Sequence, residues 1–327
     1  MRISSLMLGA VLAAGCGGMD TAIDRDDRWT LDHATTAGGL LGVWGSGPSD
    51  VWVVGGQTDR SLVLHGDGTG WTPFDVSSTS LLFSVYGFTD SDVYAVGEHG
   101  LILHYDGKTW VTVESGTDLP LYGLWGASGE DVWIVGGGLS GPAGSAVVLR
   151  GARGSFHVVD LPADLAPNVL FKAHGFASDD VMLVGGGGAV LRWNGVQWRR
   201  DPVPTSASLF ATWGRGADDA YAVGGSGTGE ILHFDGQAWS QVNEGPIGSG
   251  LNGVFTSLEG PTIAVGPESV VIELGRDGSL VQPRLPKLDP APFLHGVWGD
   301  GHGTTYAVGG DLFAYPGPMT GVILSRH

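Results

Sequence analysis

The chain is poor in cysteine, lysine and helix-forming pattern, and each shortage excludes something. One residue of 327 is cysteine, Cys16. No disulfide can form within the chain, so the fold must close by packing and hydrogen bonds alone. Charged residues make up 15%, against about 25% in ordinary soluble domains. There are only three lysines, Lys108, Lys172 and Lys287, and the net charge is −18. A surface of that sign repels phosphate backbones and anionic lipid, which argues against nucleic acid as a partner. Long helical periodicity is missing too: the apolar segments are short runs of Val, Leu, Ile and Trp bounded by Gly, Asp and Ser. What is abundant is glycine, 58 residues. Many short strands joined by tight turns, an all-β protein, follow from that combination.

The first residues, MRISSLMLGAVLAAGCGG, carry one basic residue and an apolar run from Leu6 to Ala14. That run is shorter than the ~20 residues a spanning helix needs and reads as a secretory signal. LAAGC at 12–16 resembles the bacterial lipobox, whose cysteine is acylated and becomes the mature N-terminus. The resemblance implies a signal peptide over 1–15, a lipid on Cys16, and an acidic tether over 16–24. Membrane contact would then run only through that lipid. Gly17 follows the cysteine where an aspartate would signal inner-membrane retention, so the expected location is the cell envelope, at the outer membrane or cell surface.

GVWGSGPSDVWVVGG (42–56) returns as GLWGASGEDVWIVGG (123–137). Anchored on the aromatic of GVWG, seven copies start at Trp44, Tyr86, Trp125, His174, Trp213, Phe255 and Trp298, spaced by 42, 39, 49, 39, 42 and 43 residues. This is the period of a four-stranded propeller blade. Six residues on come Asp50, Asp92, Asp131, Asp180 and Asp219, and eleven on a glycine stands in all seven. Each copy continues into an apolar strand and a hairpin, clearest in LILHYDGKTW (101–110), where Asp106 and Gly107 suit a tight turn. The seventh copy stops after its third strand, GVILSRH (321–327). Trp29 lies in RDDRWTLDH (25–33) in the register of Trp110, so the N-terminal strand is expected to complete the last blade. The expected fold is therefore a seven-bladed β-propeller of four-stranded antiparallel blades over 25–327, closed by that strand, with no exposed first or last edge. It resembles bacterial seven-bladed propellers with kelch-like, sialidase-type and photosystem-assembly-factor-like repeats.

Most conspicuous residues have a structural reading. The tryptophans recur at blade positions where flat side chains fill the wedge between sheets. The recurring aspartates each follow a Gly/Ser-rich turn and read as turn caps; one or two carboxylates per blade fall short of a calcium shell. His65, His104 and His233 share one strand position with Arg150, Arg192 and Ser325, which does not suit a metal set. GGSGTGE (224–230) and VGGGG (184–188) are followed by strands, whereas a phosphate loop needs a helix. Copper-radical oxidation of the kelch type needs a cysteine–tyrosine crosslink, and sialidase chemistry a clustered arginine triad that nothing here assembles. No catalytic residue, metal or cofactor is expected.

The turns joining strands one to two and three to four are uniform, whereas the loops from strand two to three and between blades vary. Antiparallel alternation puts both variable sets at one end of the ring, and function on repeat scaffolds rests on such loops. The candidate binding residues there are Arg60, Glu98, His99, Glu114, Asp118, Lys172, Asp201, Glu244, Glu268, His295 and Asp311. The expected function is a monomeric, non-enzymatic envelope lipoprotein that recognises a protein or glycan through this face. The rival is a glycan-active hydrolase or lyase of the sialidase-like class.

Overall fold

The computed structural model of the protein describes residues 29–314 and 317–327. The expected signal peptide, tether and acylated Cys16 lie outside the described residues.

Seven separate sheets each hold four antiparallel strands, and six of them follow chain order from the innermost strand outward. In blade four the strands are Leu170–Ala177, Asp180–Gly185, Ala189–Trp193 and Trp198–Arg200. Each innermost strand packs against the next, and that of blade seven, Phe293–Gly299, packs against that of blade one, Gly39–Gly47. The ring is thus continuous. Its seventh sheet takes its outermost strand from the other terminus: Thr30–Thr35 pairs antiparallel with Thr320–Arg326, with Thr30 opposite Ser325 and Thr35 opposite Gly321. Trp29, 3% exposed, donates its indole N–H to Glu273 of blade six at 3.3 Å. Arg326 lies over the same indole at 5.8 Å and pairs with Glu273 at 2.6 Å. The seam is therefore clamped across two blades.

The glycine found in every copy has one cause. At Gly55, Gly97, Gly136, Gly185, Gly224, Gly266 and Gly309, a Cβ would overlap the carbonyl oxygen five residues before the anchor on the neighbouring inner strand. Only a residue without a side chain lets the second strand approach that closely.

The recurring aspartates overturn their reading as turn caps. Each opens the second strand of its blade, and its carboxylate meets a side chain on the third. His65 Nε2 lies 2.7 Å from Asp50, His104 Nε2 2.8 Å from Asp92, and His233 Nε2 2.8 Å from Asp219. Where the third strand carries arginine, Arg150 makes two hydrogen bonds to Asp131, at 2.6 and 3.0 Å. In these four blades the imidazole or guanidinium in turn stacks on the aromatic eight residues past the anchor. Trp52–His65, Tyr94–His104 and Tyr221–His233 centroids lie 4.4, 4.3 and 4.6 Å apart, and Arg150 sits 4.5 Å over Trp133. The drift between histidine and arginine is explained, because either cation or donor fits between a carboxylate and a ring face. The hairpin reading holds: Asp106 Oδ1 accepts the N–H groups of Lys108 and Thr109, both at 2.9 Å, and Gly107 has a positive φ of 90°.

Candidate functional site

Six of the seven inner strands slip register near their start, between Leu40 and Gly42, Leu82 and Ser84, Leu121 and Gly123, Leu170 and Lys172, Leu209 and Ala211, and Leu294 and Gly296. The extra residue in each case stands three before the anchor: Leu41, Phe83, Tyr122, Phe171, Phe210 and His295. A bulge takes its residue out of the ladder and re-aims the side chain. Here it aims them into the central channel, at the end where the loops differ between blades.

The result is a cavity of about 450 Å³, within the ~300–1,000 Å³ of small-ligand sites. Blades two to five supply a continuous aromatic wall, with Phe83–Tyr122, Tyr122–Phe171 and Phe171–Phe210 ring centres 5.0, 5.5 and 5.0 Å apart. Leu139 and Phe313, 63% and 77% exposed, stand on its rim. Trp44, Tyr86 and Trp213 line it too, from the anchor positions. These anchors form a further aromatic series, with Trp44–Tyr86, His174–Trp213 and Trp213–Phe255 centres at 5.9, 4.6 and 5.3 Å.

Lys172 reaches across this space from blade four to donate to Ser84 Oγ of blade two at 3.1 Å. Its counterparts two residues before the other anchors are Gly42, Ser84, Gly123, Ala211, Gly253 and Gly296, so no other blade projects a long side chain here. Burial pushes the Lys172 ammonium down to about 8. His295 donates through Nδ1 to the Leu41 carbonyl at 2.8 Å, and burial, with the Lys172 charge adding to it, holds its pKa down at about 4. His174, buried between Trp125 and Trp213, is held at about 3 by burial and by Lys172. Both imidazoles are neutral in the folded ring at neutral pH.

These two histidines make the fold acid-sensitive. Their folded pKa lies below the ~6.5 of an unfolded histidine, so between about pH 4 and 6.5 the unfolded chain binds more protons. The contribution of the two histidines is full above pH 6.5 and is lost as pH falls through that window, by about 1.4 kcal/mol per unit for each. Urea midpoints taken from pH 7 to 4 are expected to drop accordingly. His174→Phe, which restores the aromatic found at other anchors, is expected to flatten that slope by about half.

The expected binding residues do not converge on one place. Lys172 and His295 line the central cavity. His99, Glu114 and Asp118 line a second, polar hollow of about 330 Å³ at the edge of blade two. Glu98 accepts the Leu81 N–H at 3.4 Å, and Asp311 precedes the rim residues Leu312 and Phe313. Arg60, at the start of a third strand, and Glu244 and Glu268, on separate loops, are exposed. His99 and Glu268 occupy equivalent loop positions with φ of 55° and 58°, where blade four has Gly187 at 64°. Asp201 departs from expectation. It is 6% exposed and lies between blades four and five, paired with Arg192 at 3.3 Å and Arg199 at 3.2 Å and accepting the Trp239 indole N–H at 3.2 Å. It holds two blades together instead of facing a ligand. Among the described residues, no three His, Cys, Asp or Glu side chains gather as a metal site would require. The aromatic wall is what sequence reasoning missed; its signal was the residue three before each anchor.

No protein-family profile matches the chain, and no curated protein sequence does. Solved structures do resemble it. A streptogramin B lyase superposes with a TM-score of 0.73 at 13% identity, covering 91% of this chain and 98% of that one. A catalytically inactive variant of virginiamycin B lyase from Staphylococcus aureus, with quinupristin, gives 0.73 at 12%, covering 92% and 100%. YCF48 bound to D1 peptide gives 0.62 at 16%, covering 91% and 96%. At such identities the likeness establishes the seven-bladed propeller and nothing finer.

Proposed function

We propose that this chain is a non-enzymatic recognition propeller, held in the cell envelope by a lipid on Cys16, that binds a protein partner across the variable end of its ring. One observation carries the reading: the aromatic cavity opens at the same end as the individual loops, with Leu139 and Phe313 exposed on its rim. Exposed apolar groups around a concave centre mark an interaction surface. That a propeller of similar fold has been captured with a peptide supports it. The test places a photo-crosslinking residue at Leu139 on the variable end or at Lys108 in a hairpin at the opposite end, in cells that make the full chain. Crosslinked protein is expected from position 139 and not from 108. Equal yields from both positions would refute the face assignment.

A second reading, lyase or hydrolase chemistry, is favoured by one feature of the same cavity. His295 is neutral, and with Nδ1 committed to Leu41 its Nε2 is free to accept a proton, near an ammonium that titrates close to neutrality. Two of the structurally similar proteins are lyases. Turnover of streptogramin B or of a polysaccharide panel, abolished by His295→Ala, would put catalysis in place of binding.

A further inference from the structure

The central cavity holds one charge with nothing to balance it. Lys172 donates to Ser84 Oγ, and among the described residues it has no carboxylate partner. Among the described residues no Asp or Glu lines the cavity, in a chain with 34 of them. The titratable groups that face or adjoin the ammonium are Tyr86, Tyr122, His174 and His295. Burial raises the two tyrosines, Tyr86 to about 12, and lowers the two histidines, so all four are uncharged at neutral pH. An unpaired ammonium in apolar surroundings is unfavourable by itself. The six sister positions, all Gly, Ser or Ala, show that the architecture does not require it. Ser84, whose oxygen accepts from Lys172, keeps its hydroxyl hydrogen for another acceptor.

We infer that the central cavity binds a small apolar molecule bearing a single carboxylate, with the carboxylate on Lys172 and Ser84 and the hydrocarbon against the Phe83–Tyr122–Phe171–Phe210 wall. The inference goes beyond partner recognition at the rim and does not depend on it. A cationic ligand is excluded by the like charge, and a polyanion finds only one cation. A neutral apolar ligand would fill the space and leave the ammonium unpaired.

Decanoate, decanol and decylammonium are the probes, titrated calorimetrically into the full-length protein. Decanoate is expected to bind at least roughly tenfold more tightly than decanol at pH 7, the worth of one charge-assisted hydrogen bond, and decylammonium not at all. The preference belongs to the protonated lysine, so it is expected to fall away as pH rises through the lysine pKa toward 10, while decanol affinity stays constant. Lys172→Met is expected to retain decanol and lose the preference for decanoate. Equal affinities of decanoate and decanol at pH 7, a preference unchanged between pH 7 and 10, or a preference that survives in Lys172→Met would each overturn the assignment. The first two comparisons use the unaltered protein, so they decide the matter even if the variant misfolds. Crosslinking at the rim can fail or succeed independently of all three.

Discussion

Deleting residues 29–35 is expected to remove the cooperative thermal transition of the ring and to convert the protein into oligomers. Trp29 is buried, and truncating a buried tryptophan alone costs about 3–5 kcal/mol. The deletion also strips every ladder hydrogen bond from one edge of Thr320–Arg326 and removes the indole that both Arg326 and Glu273 contact. The sum approaches the whole stability of a typical domain, ~5–15 kcal/mol. An exposed strand edge of apolar composition then recruits a second chain. Circular dichroism melting and light scattering after size exclusion would read both effects. A permuted chain tests the cause: residues 29–36 moved behind His327 through an Asp-Gly hairpin should recover the melting transition, since Thr30 opposite Ser325 is the pairing that hairpin would create. A deletion that melts like the intact ring would mean that the seam contributes nothing.

Asp201→Ala is expected to lower stability by about 3–5 kcal/mol and to leave ligand affinity unchanged. Removing one partner of a buried ion pair strands the other charge. Here it strands Arg192, whose side chain is 8% exposed and keeps a 3.6 Å approach to Asp180 and long hydrogen bonds to the Ala217 carbonyl, at 3.4 and 3.5 Å. Arg192 also lies 4.3 Å over Phe234 of blade five, so its displacement would loosen the wedge between two blades. Replacing both residues, Asp201→Ala with Arg192→Met, is expected to restore much of the loss, because an apolar pair needs no counter-charge. Urea denaturation of the single and double variants, beside decanoate titration of each, separates the structural role from recognition. A single variant as stable as the unaltered protein would return Asp201 to the candidate binding residues.

These two sites show what a sequence can disclose. The seam was legible because a missing strand at one end and a spare Trp-bearing segment at the other match in register, and strand pairing obeys that register. The sevenfold glycine was legible as a recurrence, although its cause, a carbonyl oxygen occupying the space of a side chain, needs coordinates. Asp201 was misjudged because its position on an inter-blade link says nothing about whether Arg192 and Trp239 enclose it. The aromatic wall was missed for a sharper reason. Period-two alternation cannot see a bulge, and the bulge is what turns Phe83, Tyr122, Phe171 and Phe210 toward the axis. The sequence places Lys172 near the variable end, but its isolation emerges only from the six small residues that stand around the same level of the channel. The aspartates and histidines recur separately in the sequence; their partnership depends on which third-strand residue lies beside which second-strand residue.

The direction of the seam strand also fixes an orientation. Thr30–Thr35 runs antiparallel to Thr320–Arg326, so Trp29 sits beside Arg326 at the end of the wheel that carries the uniform hairpins. The seam thus lies at the rim of the wheel, with its buried tryptophan on the side away from the aromatic cavity. A molecule entering the aromatic bowl therefore approaches from the side of the wheel opposite Trp29, where neither the seam nor its clamp stands in the way.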